Sequence, residues 1–527
     1  MSYFCFNDET AVVETTKGKV HGYAWNGMKI FKGIPYAKAE RFHAPEPVNA
    51  WEGLKDATNY GFVCPLLDLG RPNGELNVPH RYWPMDEDCL NLNVWTPETD
   101  DAKRPVLFWM HGGGFEAGSS IEHIAYEGEN MCTHGDVVVV SVNHRLNVLG
   151  YFDLSDFGEE YANSGNAGTD DLIAALQWVH DNIAAFGGDP DNVTVFGQSG
   201  GGAKVTTLLQ TPAADGLYAK GYNMSGVIGP VLADQAGNGR EFAEAIMREL
   251  GILGEGETGT AEHVRKLEKV PYAQLADAYK KLRPAFQAQG KYTGGAPHPN
   301  AFYKGEPVSN GFRAETAGIP LLVGSVYGEF TSFMPSPYKD GIPAEEQKKI
   351  LTETLGQEGA DAVIPLFEKA YPERPLLDAL RLDFIFRAPE IAYIAKRSEL
   401  NNCTWSYMFN MDQPINGRQT PWHCSDIPYV FRNIDLIQYP HGNEELAVKI
   451  QDQVFESVMA FAKTGDPNNA AIPQWDACRP GEENTIIIDA DTRVRTNYDH
   501  ELQGVFTRYM GPVMERMMAA MRESVQH

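Results

Sequence analysis

The chain is 527 residues long, with 71 acidic against 44 basic side chains and a formal charge of −27 at pH 7. A surplus of that size argues against nucleic acid or an anionic membrane surface as a partner, since both would be repelled. Hydrophobic content of 43% and charged content of 22% suit a soluble globular protein with a large core.

In chain order, the first residues (Met1-Ser-Tyr-Phe-Cys-Phe-Asn-Asp-Glu) lack the basic stretch and apolar core of a secretory signal. The expected location is therefore cytoplasmic, or secreted if the chain is a trimmed mature form. Val12–Gly22 and Met28–Gly33 alternate in polarity and carry turn glycines, which predicts antiparallel hairpins at a sheet edge. Val106–Met110, Val137–Val142 and Val193–Phe196 are short, nearly continuous apolar runs, as expected of parallel strands buried on both faces. Val137–Val142 is the longest apolar run, far short of a membrane span.

Between the last two runs, Leu172, Ala175, Leu176, Val179 and Ile183 recur at helical spacing, predicting a helix over 169–186. Gly187–Asp191 reads as the turn into the next strand, with Asp189 as a turn former. Further strands are predicted at Pro320–Ser325 and Thr404–Phe409, with charged, helix-rich insertions around 235–290 and 340–400. No internal repeat or low-complexity linker divides the chain. The expected architecture is one α/β domain over 1–527, with a mostly parallel twisted sheet covered by helices on both faces.

The stretch richest in chemistry is Val193-Thr-Val-Phe-Gly-Gln-Ser-Gly-Gly-Gly202. An apolar strand, a glycine-boxed serine and a helix from Ala203 predict a sharp, strained turn that projects the Ser199 hydroxyl. Gly197 and Gly201 are needed there because side chains would strike neighbouring strands. A second element, His111-Gly-Gly-Gly-Phe115, follows a predicted strand. Its Gly113 and Gly114 amides, with that of Gly200, could converge on one oxyanion. A phosphate cradle would instead require a Lys-Ser or Lys-Thr pair opening a helix, and none follows.

A base is required, and His423 is the best placed of 14 histidines, on a loop beyond Thr404–Phe409 anchored by Ile427–Phe431. Alone, a loop histidine is more often a surface residue. Local pattern leaves the orienting acid open between Glu329, just beyond a predicted strand, and Asp426, which falls outside the order serine, acid, histidine. Seven cysteines without a CxxC pair, and no HExxH sequence, suit a reducing compartment and give no support to a metal or other cofactor.

Together these motifs resemble the type-B carboxylesterases of the α/β-hydrolase superfamily, which includes cholinesterases and bacterial p-nitrobenzyl esterases. The resemblance runs through Phe31–Ala37, Glu87–Trp95, His111–Phe115, Asn166–Gly168, Phe186–Pro190, the serine turn, His423 and Phe461–Pro467. It implies an α/β-hydrolase fold, a Ser199–Glu329–His423 triad acting on carboxylic esters through an acyl-enzyme, and a supporting hydroxyl at Ser225. It equally covers lipases, thioesterases, amidases and carbamate hydrolases, and more remotely a non-catalytic interaction protein, although such relatives lose the serine or the glycine loop. Choline esters are disfavoured because no ring near Pro79–Trp83 matches the choline-stacking aromatic.

The chain departs from the family in having Gly200 where alanine is usual. Cys64 and Cys89 stand where secreted relatives form a disulfide, and two thiols are expected here. Asn192, Asn223 and Asn402 open glycosylation-type triplets, read as chance matches. The expected partner is a small ester, with monomer or homodimer left open. Met510, Met514, Met517, Met518 and Met521 form a helical stripe whose ordinary role is packing, a lipid- or partner-binding helix being the sharper alternative.

Overall fold

The computed structural model describes residues 4–7, 9–67, 80–227, 237–333, 341–415, 418–438 and 441–525. Its centre is a 12-stranded sheet. Val138–Val142, Arg104–Met110, Gly188–Gln198, Lys220–Met224, Leu321–Val326, Thr404–Phe409 and Asn484–Ile488 lie side by side in that order, all parallel. Antiparallel strands flank them, Asn91–Thr96 and Met28–Pro35 at one edge and Arg493–Thr496 at the other. This is the α/β-hydrolase fold.

Strand residues point alternately to the two faces, and the core divides accordingly. Val106, Phe108 and Met110 pack with Leu172, Leu176 and Val179 of helix Ala167–Asn182. Leu107 and Trp109 face the other way, onto Ile450, Val454 and Phe461 of helix Glu444–Thr464. Each such fully buried side chain stabilises the fold by about 1.5–3 kcal/mol. A third cluster joins helices Ala344–Ala370 and His500–Val525 to the sheet through Tyr327, Met408 and Ile487.

The register determines where chemistry can occur. Met110 pairs with Val142 and Gly197, Gln198 with Met224, and Val326 with Phe409, so these strands end along one edge. Open α/β sheets place their sites at the carboxyl ends of the strands. The residues that follow include His111–Gly114, Ser199, Ser225 and Glu329.

Two local expectations are corrected. The hairpin Val12–Thr15/Gly18–His21 lies off the main sheet, in a three-stranded sheet with Leu54–Asp56. Only Met28–Pro35 of the amino-terminal region joins the main sheet at length. The expected turn at Gly187–Asp191 is confined to Gly187, with φ 81°; the strand begins at Gly188 and bulges where Arg104 meets Gly188 and Val106 meets Val193. Asp189 still folds the bulge, accepting the Asp191 amide at 3.1 Å.

Cys64 and Cys89 are buried free thiols. Their mutual hydrogen bond, followed by burial, pushes Cys89 well above the ordinary thiol range. Among the described residues no helix is long and apolar enough to cross a membrane. In the methionine stripe, Met510 packs into the third cluster; the side chains of Met517, Met518 and Met521, like Pro79, lie outside the described residues.

Candidate active site

Ser199 stands between strand Gly188–Gln198 and helix Gly200–Leu209 with φ 58° and ψ −123°. Such a conformation strains a non-glycine residue by roughly 1–3 kcal/mol and persists only where its surroundings impose it. Here the Ser199 amide donates to the Met224 carbonyl at 2.7 Å, and the Ser199 carbonyl accepts the Ala203 amide at 3.0 Å. The glycines make the turn possible: a Cβ on Gly201 would lie 2.0 Å from the Met110 carbonyl oxygen, and one on Gly197 2.5 Å from it.

The glycine loop leaves the adjacent strand at Met110. Gly113 and Gly114 take φ values of 87° and 65°, a region that favours glycine. The Gly113 carbonyl accepts the Ala117 amide at 3.0 Å, which closes the loop on itself. Its backbone rests directly on the start of the serine helix: a Cβ on Gly200 would meet Gly114 O at 2.1 Å and Gly114 Cα at 2.4 Å. The departure at Gly200 thus has a structural counterpart, since the loop occupies the space an alanine methyl would need.

His423 arrives from the loop beyond Thr404–Phe409, and Glu329 opens a short 3-10 helix, Glu329–Phe333, just beyond Leu321–Val326. His423 Nδ1 pairs with Glu329 Oε2, and the His423 amide donates to the Glu329 carbonyl at 3.3 Å. Glu329 Oε1 accepts the Val326 amide at 2.9 Å, and the carboxylate is fully buried. Its φ of 33° is a second strained backbone position. Asp426 has a different partner: it accepts the Tyr407 hydroxyl at 3.0 Å, and burial, then the charge of Glu329, pushes it up to about 7.

Ser199, His423, Gly113 and Gly114 line one cavity of about 190 Å³, with Gln198, Phe330 and Cys424 on its walls. A second cavity of about 300 Å³ shares Gly113 and Gly114 with the first and is walled by Phe115, Val227, Tyr303 and Tyr393. The Arg283–Glu116 ion pair borders it. Ser225 is fully buried one residue beyond Met224, with φ 47° and its amide donating to Gly324 O at 2.7 Å. Its hydroxyl has no hydrogen-bond partner among the described residues.

Several neighbours escaped sequence reasoning. The Gln198 amide lies 3.4 Å from both His423 ring nitrogens, and its oxygen accepts the Cys424 thiol at 2.9 Å. Phe330 and Phe386 pack on the imidazole with ring centroids 4.3 and 5.1 Å away. Gln198, Phe330 and Cys424 each adjoin a predicted site residue, a signal that was available. Phe386 comes from the region read as an insertion, and no local pattern marks it. Among the described residues, no group of three or more His, Cys, Asp or Glu side chains is placed to hold a metal ion.

Known proteins resemble this chain over most of its length. The model of the carboxylesterase family matches residues 9–505. The para-nitrobenzyl esterase of Bacillus subtilis (strain 168) is 34% identical over 93% of this chain and 97% of its own length. The phenmedipham hydrolase of Pseudarthrobacter oxydans is 27% identical over 90% of this chain and 94% of its own. A solved esterase from anaerobic Clostridium hathewayi, described as able to hydrolyse aliphatic aromatic polyesters, superposes with a TM-score of 0.92 at 48% identity, covering 97% of this chain and 100% of that one.

Proposed function

This chain belongs to the carboxylesterase family and is a carboxylic ester hydrolase, and on that premise we propose that it cleaves esters by a Ser199–His423–Glu329 triad. His423 takes the Ser199 proton as the hydroxyl oxygen attacks the ester carbonyl. The carbonyl π electrons move onto oxygen, where the amides of Gly113, Gly114 and Gly200 hold the oxyanion. Collapse of the tetrahedral adduct expels the alcohol, which receives the proton from His423 and leaves an acyl-serine. Water, deprotonated by His423, then repeats the sequence and releases the acid. Glu329 holds the imidazole in one tautomer and stabilises its cation.

The observation that carries this reading is the pairing of His423 Nδ1 with Glu329, beside a cavity that His423 and Ser199 line together. Asp426, occupied by Tyr407 and held toward its neutral form, is the weaker candidate for the acid. The test is turnover of p-nitrophenyl acetate by Ser199→Ala, expected to fall by roughly 10⁴-fold or more. Retained turnover in a folded variant would overturn the assignment.

A narrower substrate class follows from the similarity to the Clostridium hathewayi esterase. Esters joining an aromatic to an aliphatic group suit an aromatic-walled cavity beside the glycine loop. Benzoate and terephthalate esters should be cleaved with a higher kcat/KM than acetate or butyrate esters of the same alcohol. The reverse order would remove this reading and leave the triad untouched. We also read the chain as one catalytic domain whose insertions carry such specificity.

A further inference from the structure

Behind the glycine loop lies a buried amine that the mechanism above does not use. Lys204 belongs to the helix that begins beside Ser199, and its side chain has no solvent exposure. Its Nζ donates to the His111 carbonyl at 2.9 Å and sits 5.7 Å from the centre of the Phe115 ring. His111 immediately precedes the run Gly112–Gly114, and Phe115 immediately follows it. One ammonium therefore touches both ends of the loop from the helix that carries the nucleophile.

Three consecutive glycines do little to fix their own conformation, because glycine is the residue with most backbone freedom to lose. Preorganised donors are effective only if held where the negative charge will form. Resting on the assignment of Ser199 as nucleophile, we propose that Lys204 is a positioning residue that clamps the Gly112–Gly114 loop in its oxyanion-binding conformation and places a buried positive charge behind it.

The charged and titratable groups around the amine agree with that role. Glu122, on the segment after the glycine loop, favours the ammonium form, whereas burial is the larger influence and lowers Lys204 to about 7. His111 at the strand end and His144 beyond Val138–Val142 are fully buried, with ring centres 5.0 Å apart. Burial, and next the Lys204 charge, hold both imidazoles well below their ordinary range. They stay neutral, so the lysine is the one of these three bases that carries charge near neutral pH. Its proton is lost as the pH rises past neutrality, and the clamp should weaken with it.

Lys204→Met keeps the length and removes the charge. Its kcat on p-nitrophenyl acetate should fall roughly 10- to 100-fold, somewhat less than for loss of a direct oxyanion donor, with KM changed less than threefold, on the order expected for an interaction made mainly in the transition state. The wild-type kcat should decline on the alkaline side of neutrality. That limb should vanish in Lys204→Met and move to higher pH in Lys204→Arg, which should recover part of the activity. If the methionine variant fails to fold, the arginine variant decides: an unmoved alkaline limb overturns the proposal. A folded Lys204→Met with wild-type kcat and pH profile overturns it equally. Labelling with a fluorophosphonate separates the two ideas. A wild type unlabelled at Ser199 refutes the nucleophile, and a labelled, kinetically unchanged Lys204→Met refutes only the clamp.

Discussion

On the serine side of the cavity nearly everything that positions the chemistry is backbone: a strained φ/ψ pair at Ser199, positive φ at Gly113 and Gly114, and glycines where any Cβ would strike a carbonyl. On the histidine side it is side chains: an imidazole paired to a carboxylate 94 residues away in sequence, beneath two phenylalanine rings. The first half admits almost no volume change, because its neighbours are main chain and cannot turn aside. The second admits volume change more readily, but depends on charge and on which ring nitrogen bears the proton. Even the buried ionisable groups differ, a lysine behind the glycine loop and a second carboxylate behind the histidine.

Substitutions can break that contrast. The largest effect is expected at Glu329→Gln, which keeps the shape and reverses the preferred imidazole tautomer; kcat should drop by about 10³- to 10⁴-fold with little change in fold. Asp426→Asn should cost no more than about tenfold, and parity between the two would mean that the acid has been misassigned. Gly200→Ala adds one methyl on the serine side, 2.1 Å from the Gly114 carbonyl oxygen. It should lower kcat by roughly 10- to 100-fold through displacement of the loop; steady-state kinetics equal to wild type would show that the loop yields without loss.

The smallest effects concern stability against pH. Asp426 is pushed up to about 7 from an ordinary 3.8, by burial and then by Glu329. The folded chain therefore binds this proton when the unfolded chain has released it. Its contribution is complete below the unfolded value and is lost as the pH rises toward 7. Lys204 has the opposite sign: lowered to about 7 from 10.5, it adds stability as the pH rises from about 7 toward 10. Urea midpoints should fall less between pH 5 and 7 in Asp426→Asn than in wild type, and rise less between pH 7 and 9 in Lys204→Met.

The same division explains what could be read from the sequence. The central strands and the helix before the serine strand announce themselves through local periodicity, and the serine turn and glycine loop through glycine, because backbone geometry leaves a local trace. Glu329 did not, since a carboxylate just past a predicted strand looks like any solvated charge until its partner is known. Family resemblance, not local pattern, favoured it over Asp426. Phe386 and Lys204 were missed for related reasons: one arrives from a distant helix, and the other reads as an ordinary helical lysine until it is found buried against His111. At the sheet edge, alternation predicted hairpins correctly but said nothing about which sheet they join.

The most direct measurement is fluorophosphonate labelling of the wild-type enzyme, followed by peptide mapping and residual esterase assay on the same sample. One adduct per chain is expected, on the peptide containing Ser199, with activity lost in proportion to labelling and no adduct there in His423→Ala over the same interval. Full modification of Ser199 with esterase activity intact, or inactivation by an adduct at another residue, would contradict the proposed mechanism.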